Sequence, residues 1–313
     1  MLGTGPFATP TLERVAAVHD VVAVVTRPPR GRRPETPPMQ RVAQRLARPV
    51  WQPDTLNSAE AQETLRRAAP ELLVVCDYGE ILRPETLATA PRGGINLHAS
   101  LLPRYRGAAP VQWALLRGES ETGNTVIEMT PGLDAGPCLG VQRVAIDPAE
   151  DAEQLEARLA TLGAELVLEV MARLESGACP RTPQDPARAS RAPRLQKAQG
   201  AIDWSRPAWE IHNQVRGLRP WPRAWTDWRR PGGASTPLIV DRTVPPPRPL
   251  PGSAAPATPP GTVLAVGDAL AVATGDVPLE IVAVQPAGKR LMGVAEFLRG
   301  ARVAVGDRWG PLA

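Results

Sequence analysis

The stretch from Ile95 to Pro137 reads INLHASLLPRYRGAAPVQWALLRGESETGNTVIEMTPGLDAGP, and both the fold and the candidate site follow from it. It begins as a short apolar strand in which Asn96 and His98 stand two residues apart. Side chains alternate between the faces of a strand, so these two are expected on one face. A second strand is predicted over Thr125–Thr130, and Asp134 follows in a glycine-flanked loop. The pattern predicts an amide, an imidazole and a carboxylate converging at the ends of two strands.

These three residue types suit direct acyl transfer to an amine. An asparagine amide can donate a hydrogen bond to the oxygen that becomes negative in a tetrahedral intermediate. A histidine can take the proton of the attacking amine or donate to the same oxygen. An aspartate can fix the imidazole tautomer and stabilise its charged form. Each residue taken alone is as well explained by a turn or a strand end, so the prediction depends on their order along the chain.

The order of short motifs in this stretch resembles that of the 10-formyltetrahydrofolate-dependent formyltransferases. Asn96-x-His98 is followed by Ser100-Leu-Leu-Pro103, then by Arg106-Gly-x-Ala-Pro110 and by Gly132-Leu-Asp-x-Gly136. The resemblance extends from Gly3 to about Met292 and is to the members that formylate initiator Met-tRNA. It implies that a formyl group passes from the co-substrate 10-formyltetrahydrofolate to the methionine amine, and it implies no metal.

The resemblance also assigns roles to residues. Asn96 and His98 stabilise the tetrahedral oxyanion, and Asp134 orients and charges His98. The implied folate-binding residues are Ser100, Leu101, Leu102 and Pro103, with the backbone around Ile81 and Leu82. The implied tRNA-binding residues are Arg30, Arg32 and Arg33 of a basic loop, together with Lys197, Lys289 and Arg290.

Composition places the chain among ordinary globular proteins. Its 313 residues suffice for about two domains, and 43% are hydrophobic while 22% are charged. No apolar run approaches the roughly 18 residues of a membrane span, and the first residues lack the pattern of a signal peptide. The odd count of three cysteines, without metal-type spacing, argues against a disulfide framework. We expect a cytoplasmic protein and a monomer.

The charge is unevenly distributed. From Arg188 onward 17 Lys and Arg stand against 9 Asp and Glu, a balance of +8, whereas the whole chain carries +4. Residues 1–187 therefore carry 4 − 8 = −4. Such an asymmetry favours a polyanionic partner for the second half, although a solvated basic surface explains it almost as well.

Strands and helices alternate through the first half, which predicts an α/β fold with a doubly wound, mostly parallel sheet. Buried strands are predicted at Val21–Val25 and Leu72–Val75. One helix is predicted to open at a capping box of Asn57 and Glu60, and a long helix is predicted over Glu150–Ser176. Short strands between turn signals after Pro237 predict a small barrel, which the resemblance specifies as OB-like. The predicted domains are a catalytic domain at 1–180, a linker at 181–200 and a tRNA-binding barrel domain at 201–313.

Two departures from the family's pattern stand out. The family closes its first strand with a motif like Gly3-Thr-Gly-Pro-Phe-Ala8, but here most of that strand is missing, and we expect the natural start upstream. Asn124 stands where the pattern has an apolar residue.

Other functions remain open from the sequence. A relative with the same chemistry could formylate a sugar-nucleotide amine or glycinamide ribonucleotide, or hydrolyse the cofactor. A nucleotide-binding reductase would use Gly3-x-Gly5-x-x-Ala8, but the fingerprint lacks its preceding strand and its later acid. A non-catalytic RNA-binding protein would explain the charge and the barrel, but not the pairing of Asn-x-His with Gly-Leu-Asp-x-Gly.

Overall fold

The computed structural model describes residues 1–29, 35–229, 233–247, 258–267 and 269–310. The chain forms two compact units. The first comprises Met1–Val111, Glu121–Ala145 and Gln154–Arg194, and the second comprises Gln112–Ser120, Ile146–Glu153 and Leu195–Ala313. Residues 181–194, part of the predicted linker, thus pack with the first unit, while the predicted domain boundaries stay a prediction. Among the described residues, none of the helices combines the length and the apolar character that a membrane span requires.

The chain from the amino terminus to residue 192 alternates strands with helices. In order these are α1 Thr9–Val18, β1 Val24–Val25, α2 Pro38–Arg45, β2 Val50–Trp51, α3 Ala59–Ala68, β3 Leu73–Cys76, α4 Pro84–Leu87, β4 Gly94–His98, β5 Arg106–Gly107, α5 Pro110–Leu116, β6 Glu121–Glu128, β7 Cys138–Ala145, α6 Ala152–Glu175 and β8 Arg191–Ala192.

The main sheet of the first unit has the order β2-β1-Leu2-β3-β4-β6-β7. Leu2 makes single parallel bridges to Val25 and Val75, so in this sheet the first strand consists of one residue. Pairing is parallel from β2 to β4 and antiparallel at β6 and β7. The predicted doubly wound sheet is confirmed, with an antiparallel edge. Its strand order reverses between Leu2 and β3, and the carboxyl ends of strands at such a point form the usual binding crevice.

Apolar periodicity explains the helices that cover this sheet. The predicted long helix is α6, which buries Leu155, Leu159 and Val170 completely. The helix predicted from the capping box is α3, but its cap is Ser58, whose hydroxyl accepts from the backbone of Ala61. The predicted capping box is therefore wrong: the cap lies one residue later, Ala61 cannot complete a box, and Asn57 is engaged elsewhere.

The second unit contains an antiparallel barrel. Its elements are α7 Ala208–Gly217, β9 Ala224–Arg229, β10 Thr236–Thr243, β11 Val263–Ala265, β12 Leu270–Val272, β13 Leu279–Pro286, β14 Met292–Gly293, α8 Val294–Gly300 and β15 Arg308–Trp309. The strands pair in the order β11-β12-β13-β10-β9-β15, and a bridge between Thr262 and Arg308 joins the two ends. The predicted barrel is confirmed. Its core is mostly aliphatic and includes Trp204, which lies edge-on to Trp309 at 5.8 Å between ring centroids.

Candidate active site

Strand β4 presents Asn96 and His98 on one face, as the period of two predicts. It lies between β3, where Val75 is paired with Asn96, and β6, where Thr125 is paired with His98. His98 is buried, whereas Asn96 is partly exposed and its side-chain amide forms no hydrogen bond within the described part of the chain. The Asn96 amide is therefore available to a ligand.

The two ring nitrogens of His98 have different surroundings. Nε2 lies 2.9 Å from the carbonyl oxygen of Tyr105, which can only accept, so Nε2 carries a proton and donates it. Nδ1 faces Oδ2 of Asp134 at 3.7 Å, too far for a hydrogen bond but close enough for an ion pair. In the neutral ring Nδ1 has a free lone pair that can take a proton, and Asp134 then stabilises the imidazolium.

Asp134 is held by the backbone of β5. Its Oδ2 accepts from the backbone N–H of Gly107 at 2.8 Å. Asp134 itself has φ of 47°, the left-handed region that aspartate and asparagine tolerate better than most residues. Gly136 must remain glycine, since a Cβ there would lie 1.7 Å from the carbonyl oxygen of Glu128. The glycine-flanked motif thus turns the carboxylate toward His98.

The turn after β4 is fixed by Thr125, a residue that sequence reasoning missed. Its hydroxyl donates to the carbonyl of Ser100 at 2.7 Å and accepts from the backbone N–H of Leu102 at 3.2 Å. The hydroxyl of Ser100 in turn donates to the carbonyl of Arg104 at 2.7 Å. The Ser100 side chain is therefore engaged in the turn, and a contribution of Ser100–Pro103 to folate binding stays a prediction.

The loop after β3 is held by Asn57. Its amide donates to the carbonyl of Ile81 at 2.9 Å, and its oxygen accepts from the backbone N–H of Arg83 at 2.8 Å. The side chain of Leu82 is buried and that of Ile81 is 57% exposed, so only Ile81 offers a side chain to a ligand. The predicted folate contacts at these two residues remain untested.

Of the predicted tRNA-binding residues, Lys197, Lys289 and Arg290 are exposed on the second unit. Arg290 pairs with Glu296, and 72% of its side chain is exposed. Arg30, Arg32 and Arg33 lie outside the described residues.

Two further polar residues have structural roles. His212 is buried between the Pro148 carbonyl, which accepts from Nε2 at 2.9 Å, and the Thr243 hydroxyl, which lies 2.7 Å from Nδ1. Burial lowers the pKa of His212 to about 4. The Asn124 amide donates to the Leu159 carbonyl of α6 at 2.9 Å, so it anchors the helix. In the part of the chain that the structure describes, no three His, Cys, Asp or Glu side chains group as metal ligands would.

Comparison with known proteins fits this geometry. Residues 2–171 match the family described as Formyl transferase, and residues 194–302 match Formyl transferase, C-terminal domain. The chain therefore belongs to the formyltransferase family.

The relatives with similar sequences over the whole chain are named methionyl-tRNA formyltransferases. The methionyl-tRNA formyltransferase of Solibacter usitatus is 42% identical, with 99% of this chain and 97% of that protein covered. The protein of that name from Heliobacterium modesticaldum is 43% identical, with 99% and 98% covered. Among solved structures, the N-formyltransferase of Helicobacter canadensis in complex with folinic acid and dTDP-3-aminofucose has a TM-score of 0.64 over 90% of this chain and 96% of its own. At 17% identity that structure shows a shared fold.

Proposed function

We propose that this formyltransferase moves the formyl group of 10-formyltetrahydrofolate to the amino group of methionine on initiator tRNA. The observation that carries the proposal is the constellation of Asn96, His98 and Asp134 at the ends of β4 and β6. The similarity to methionyl-tRNA formyltransferases over almost the whole chain supports the choice of acceptor.

In the proposed reaction the methionine amine attacks the formyl carbon. A carbon–nitrogen bond forms and the formyl oxygen becomes an oxyanion, which the Asn96 amide stabilises by a hydrogen bond. His98 Nδ1 takes the proton that the amine loses, and Asp134 stabilises the imidazolium at 3.7 Å. The bond to N10 of the folate then breaks as His98 returns the proton to that leaving nitrogen. The formyl group and the proton are both transferred without a metal or a redox partner.

This assignment refines the role of His98 that the resemblance implied. Because Nε2 already donates to the Tyr105 carbonyl, Nδ1 is the nitrogen open to proton transfer. The oxyanion then depends mainly on Asn96, whose amide has no competing hydrogen bond within the described chain.

The folate is proposed to bind along Ser100–Pro103 and the loop containing Ile81 and Leu82. Both segments are held in place before a ligand arrives, the first by Thr125 and the second by Asn57. Preformed loops at the carboxyl ends of parallel strands suit a ligand with a flat ring. For the tRNA, the exposed cations Lys197, Lys289 and Arg290 can contact phosphates, and the sequence adds Arg30, Arg32 and Arg33.

The proposal is tested by formyl transfer from 10-formyltetrahydrofolate to three acceptors: initiator Met-tRNA, elongator Met-tRNA and a sugar-nucleotide amine. We expect transfer to the initiator tRNA with a clear preference over the elongator. Transfer to the sugar amine alone would keep the chemistry and reject the tRNA acceptor. Absence of transfer to all three, by a folded protein, would reject the proposed function.

A further inference from the structure

Residues 182–192, which we call the strap, return from α6 to the candidate active site. The strap begins with paired backbone hydrogen bonds between Thr182 and Cys138 at 2.8 and 2.9 Å. It ends as β8, which pairs in parallel with β5. This segment lies between the two ranges that match the formyltransferase families, and its irregular sequence predicts only a linker. In the structure it contacts both loops that carry the site.

One side chain of the strap joins those loops. The amide nitrogen of Gln184 donates to the carbonyl oxygens of Asp134, at 2.8 Å, and of Gly136, at 2.7 Å. Its amide oxygen accepts from Nε and Nη2 of Arg106 at 3.2 and 2.7 Å. Gln184 thus ties the loop of the carboxylate to the segment whose Gly107 N–H binds that carboxylate.

The other end of the strap fixes the partner of His98. The hydroxyl of Ser190 accepts from the backbone N–H of Tyr105 at 2.9 Å, and its carbonyl accepts from the N–H of Arg106 at 2.8 Å. The carbonyl of Tyr105 is the acceptor for His98 Nε2. The strap therefore holds the backbone groups that bind His98 on one side and Asp134 on the other.

We propose that Gln184 is a positioning residue, through which the strap sets the separation between Asp134 and His98. Asp134 has a left-handed backbone, and the two hydrogen bonds from Gln184 to its loop oppose relaxation of that conformation. The reacting groups must be placed to within a fraction of an ångström, since a displacement of about 1 Å can reduce a rate about 100-fold. The inference rests on the proposed function for its kinetic test but not for its structural test.

The decisive variant is Gln184→Glu. A glutamate keeps the shape and the oxygen that accepts from Arg106, but it sets an oxygen in place of the donor against two carbonyl oxygens. We expect kcat for Met-tRNA formylation to fall about 10- to 100-fold, with KM for both substrates changed less than about twofold. Asp185→Asn is the matched control, because Asp185 is exposed and adjoins Gln184. The asparagine keeps an oxygen that can accept from the Ala187 N–H.

Hydrogen–deuterium exchange tests the positioning without any acceptor. In Gln184→Glu we expect faster exchange in peptides containing Gly107 and residues 134–138, with other peptides and the unfolding temperature nearly unchanged. If Gln184→Glu fails to fold, Ser190→Ala loosens the strap more gently, and we expect the peptide containing Tyr105 to exchange faster and kcat to fall.

The outcomes separate the two proposals. Unchanged exchange around Gly107 in a folded Gln184→Glu protein overturns the positioning role, and so does unchanged kcat. If the wild-type protein formylates no acceptor, the proposed function fails and the exchange experiment still decides the role of Gln184. An equal loss of kcat in Asp185→Asn would also count against Gln184.

Discussion

Single side chains of the site differ in how much the fold depends on them. The side-chain amide of Asn96 forms no hydrogen bond with another described residue, so it contributes little to folding and is free to bind an oxyanion. We predict that Asn96→Ala lowers kcat about 10²- to 10³-fold, the usual cost of losing one oxyanion donor. Its thermal unfolding temperature should match that of the wild type. Steady-state formylation and a melting curve check this, and near-normal turnover would contradict the assignment.

Two variants can separate the effect of the negative charge of Asp134 from its role in holding the loop. Asparagine also tolerates a φ of 47° and can accept from the Gly107 N–H, so Asp134→Asn should keep the loop while removing the negative charge beside His98. We expect a loss of kcat with normal stability. Asp134→Ala should lose stability as well as turnover, because alanine cannot accept the hydrogen bond from the Gly107 N–H and is more strained than asparagine in the left-handed region. Equal stability of the two variants would count against a role of the carboxylate in holding the loop.

His212 predicts a pH dependence of stability. Its pKa is about 4 in the folded protein because burial disfavours the charged ring, against an ordinary value of 6.5. Between these values the unfolded chain binds more protons, so stability falls as the pH drops from about 6.5 to 4, by up to about 3 kcal/mol. Unfolding midpoints measured across this range check the sign. The variant His212→Gln should show a smaller dependence, and an unchanged slope would contradict the prediction.

The sequence predicts the three candidate catalytic residues better than the residues that hold them in place. Asn96, His98 and Asp134 follow from strand periodicity and short motifs, because local order determines where they point. The contacts of Thr125 and Gln184 join residues that are 23 to 78 positions apart in the chain. No local pattern marks such partners, since they are set only when the sheet and the strap come together.

At the level of elements, β5 and β8 pair through a close approach that only glycine permits. Gly107 has φ of 125°, and a Cβ there would lie 2.6 Å from the carbonyl oxygen of Ala192. We predict that Gly107→Ala separates the two strands, lowers the unfolding temperature and reduces kcat. Gly293→Ala is a suitable control for the substitution itself, since nothing lies within 4 Å of the added carbon and φ is −69°. Normal activity of Gly107→Ala would show that this pairing does not support the site.

Elements with a long run of periodically spaced apolar residues were predictable, and short elements were less so. The helix α6 and the strands β10 to β13 appear close to where the pattern places them, because burying an apolar face decides their position. Strand β9, at Ala224–Arg229, lies before the range predicted for the barrel. The predicted strand at Val21–Val25 is reduced to Val24–Val25. The strap could not be predicted as structure, since its hydrogen bonds go mainly to loops and not to a neighbouring strand of regular pattern.

For the molecule as a whole, the excess of positive charge in the second half predicts a salt-dependent affinity for tRNA. We expect Lys289→Ala to raise KM for Met-tRNA and to reduce the slope of log KM against log salt by about one, without changing KM for the folate. Arg290→Ala should act more weakly, because Glu296 already pairs with that guanidinium. Formylation measured at several salt concentrations checks both. A salt slope that neither variant changes would remove this surface from the tRNA interface.

An α/β sheet followed by a small barrel was predictable from the chain length and from the alternation of strand and helix patterns. The place of residues 181–194 was not, since a run of proline, arginine and alanine without periodicity gives no sign of what it will contact. Their packing with the first unit depends on backbone pairing and on the side chains of Gln184 and Ser190, whose partners are distant in the sequence.

The position of the strap in the chain has a consequence for protein synthesis. A ribosome releases His98 and Asp134 well before residues 182–192, yet those later residues hold the backbone around both. A nascent chain that ends at Glu175 has every strand of the main sheet but lacks the segment that closes the site. From the proposed role of Gln184 we expect the growing chain to complete its sheet first and to become chemically competent only after the strap has emerged and docked.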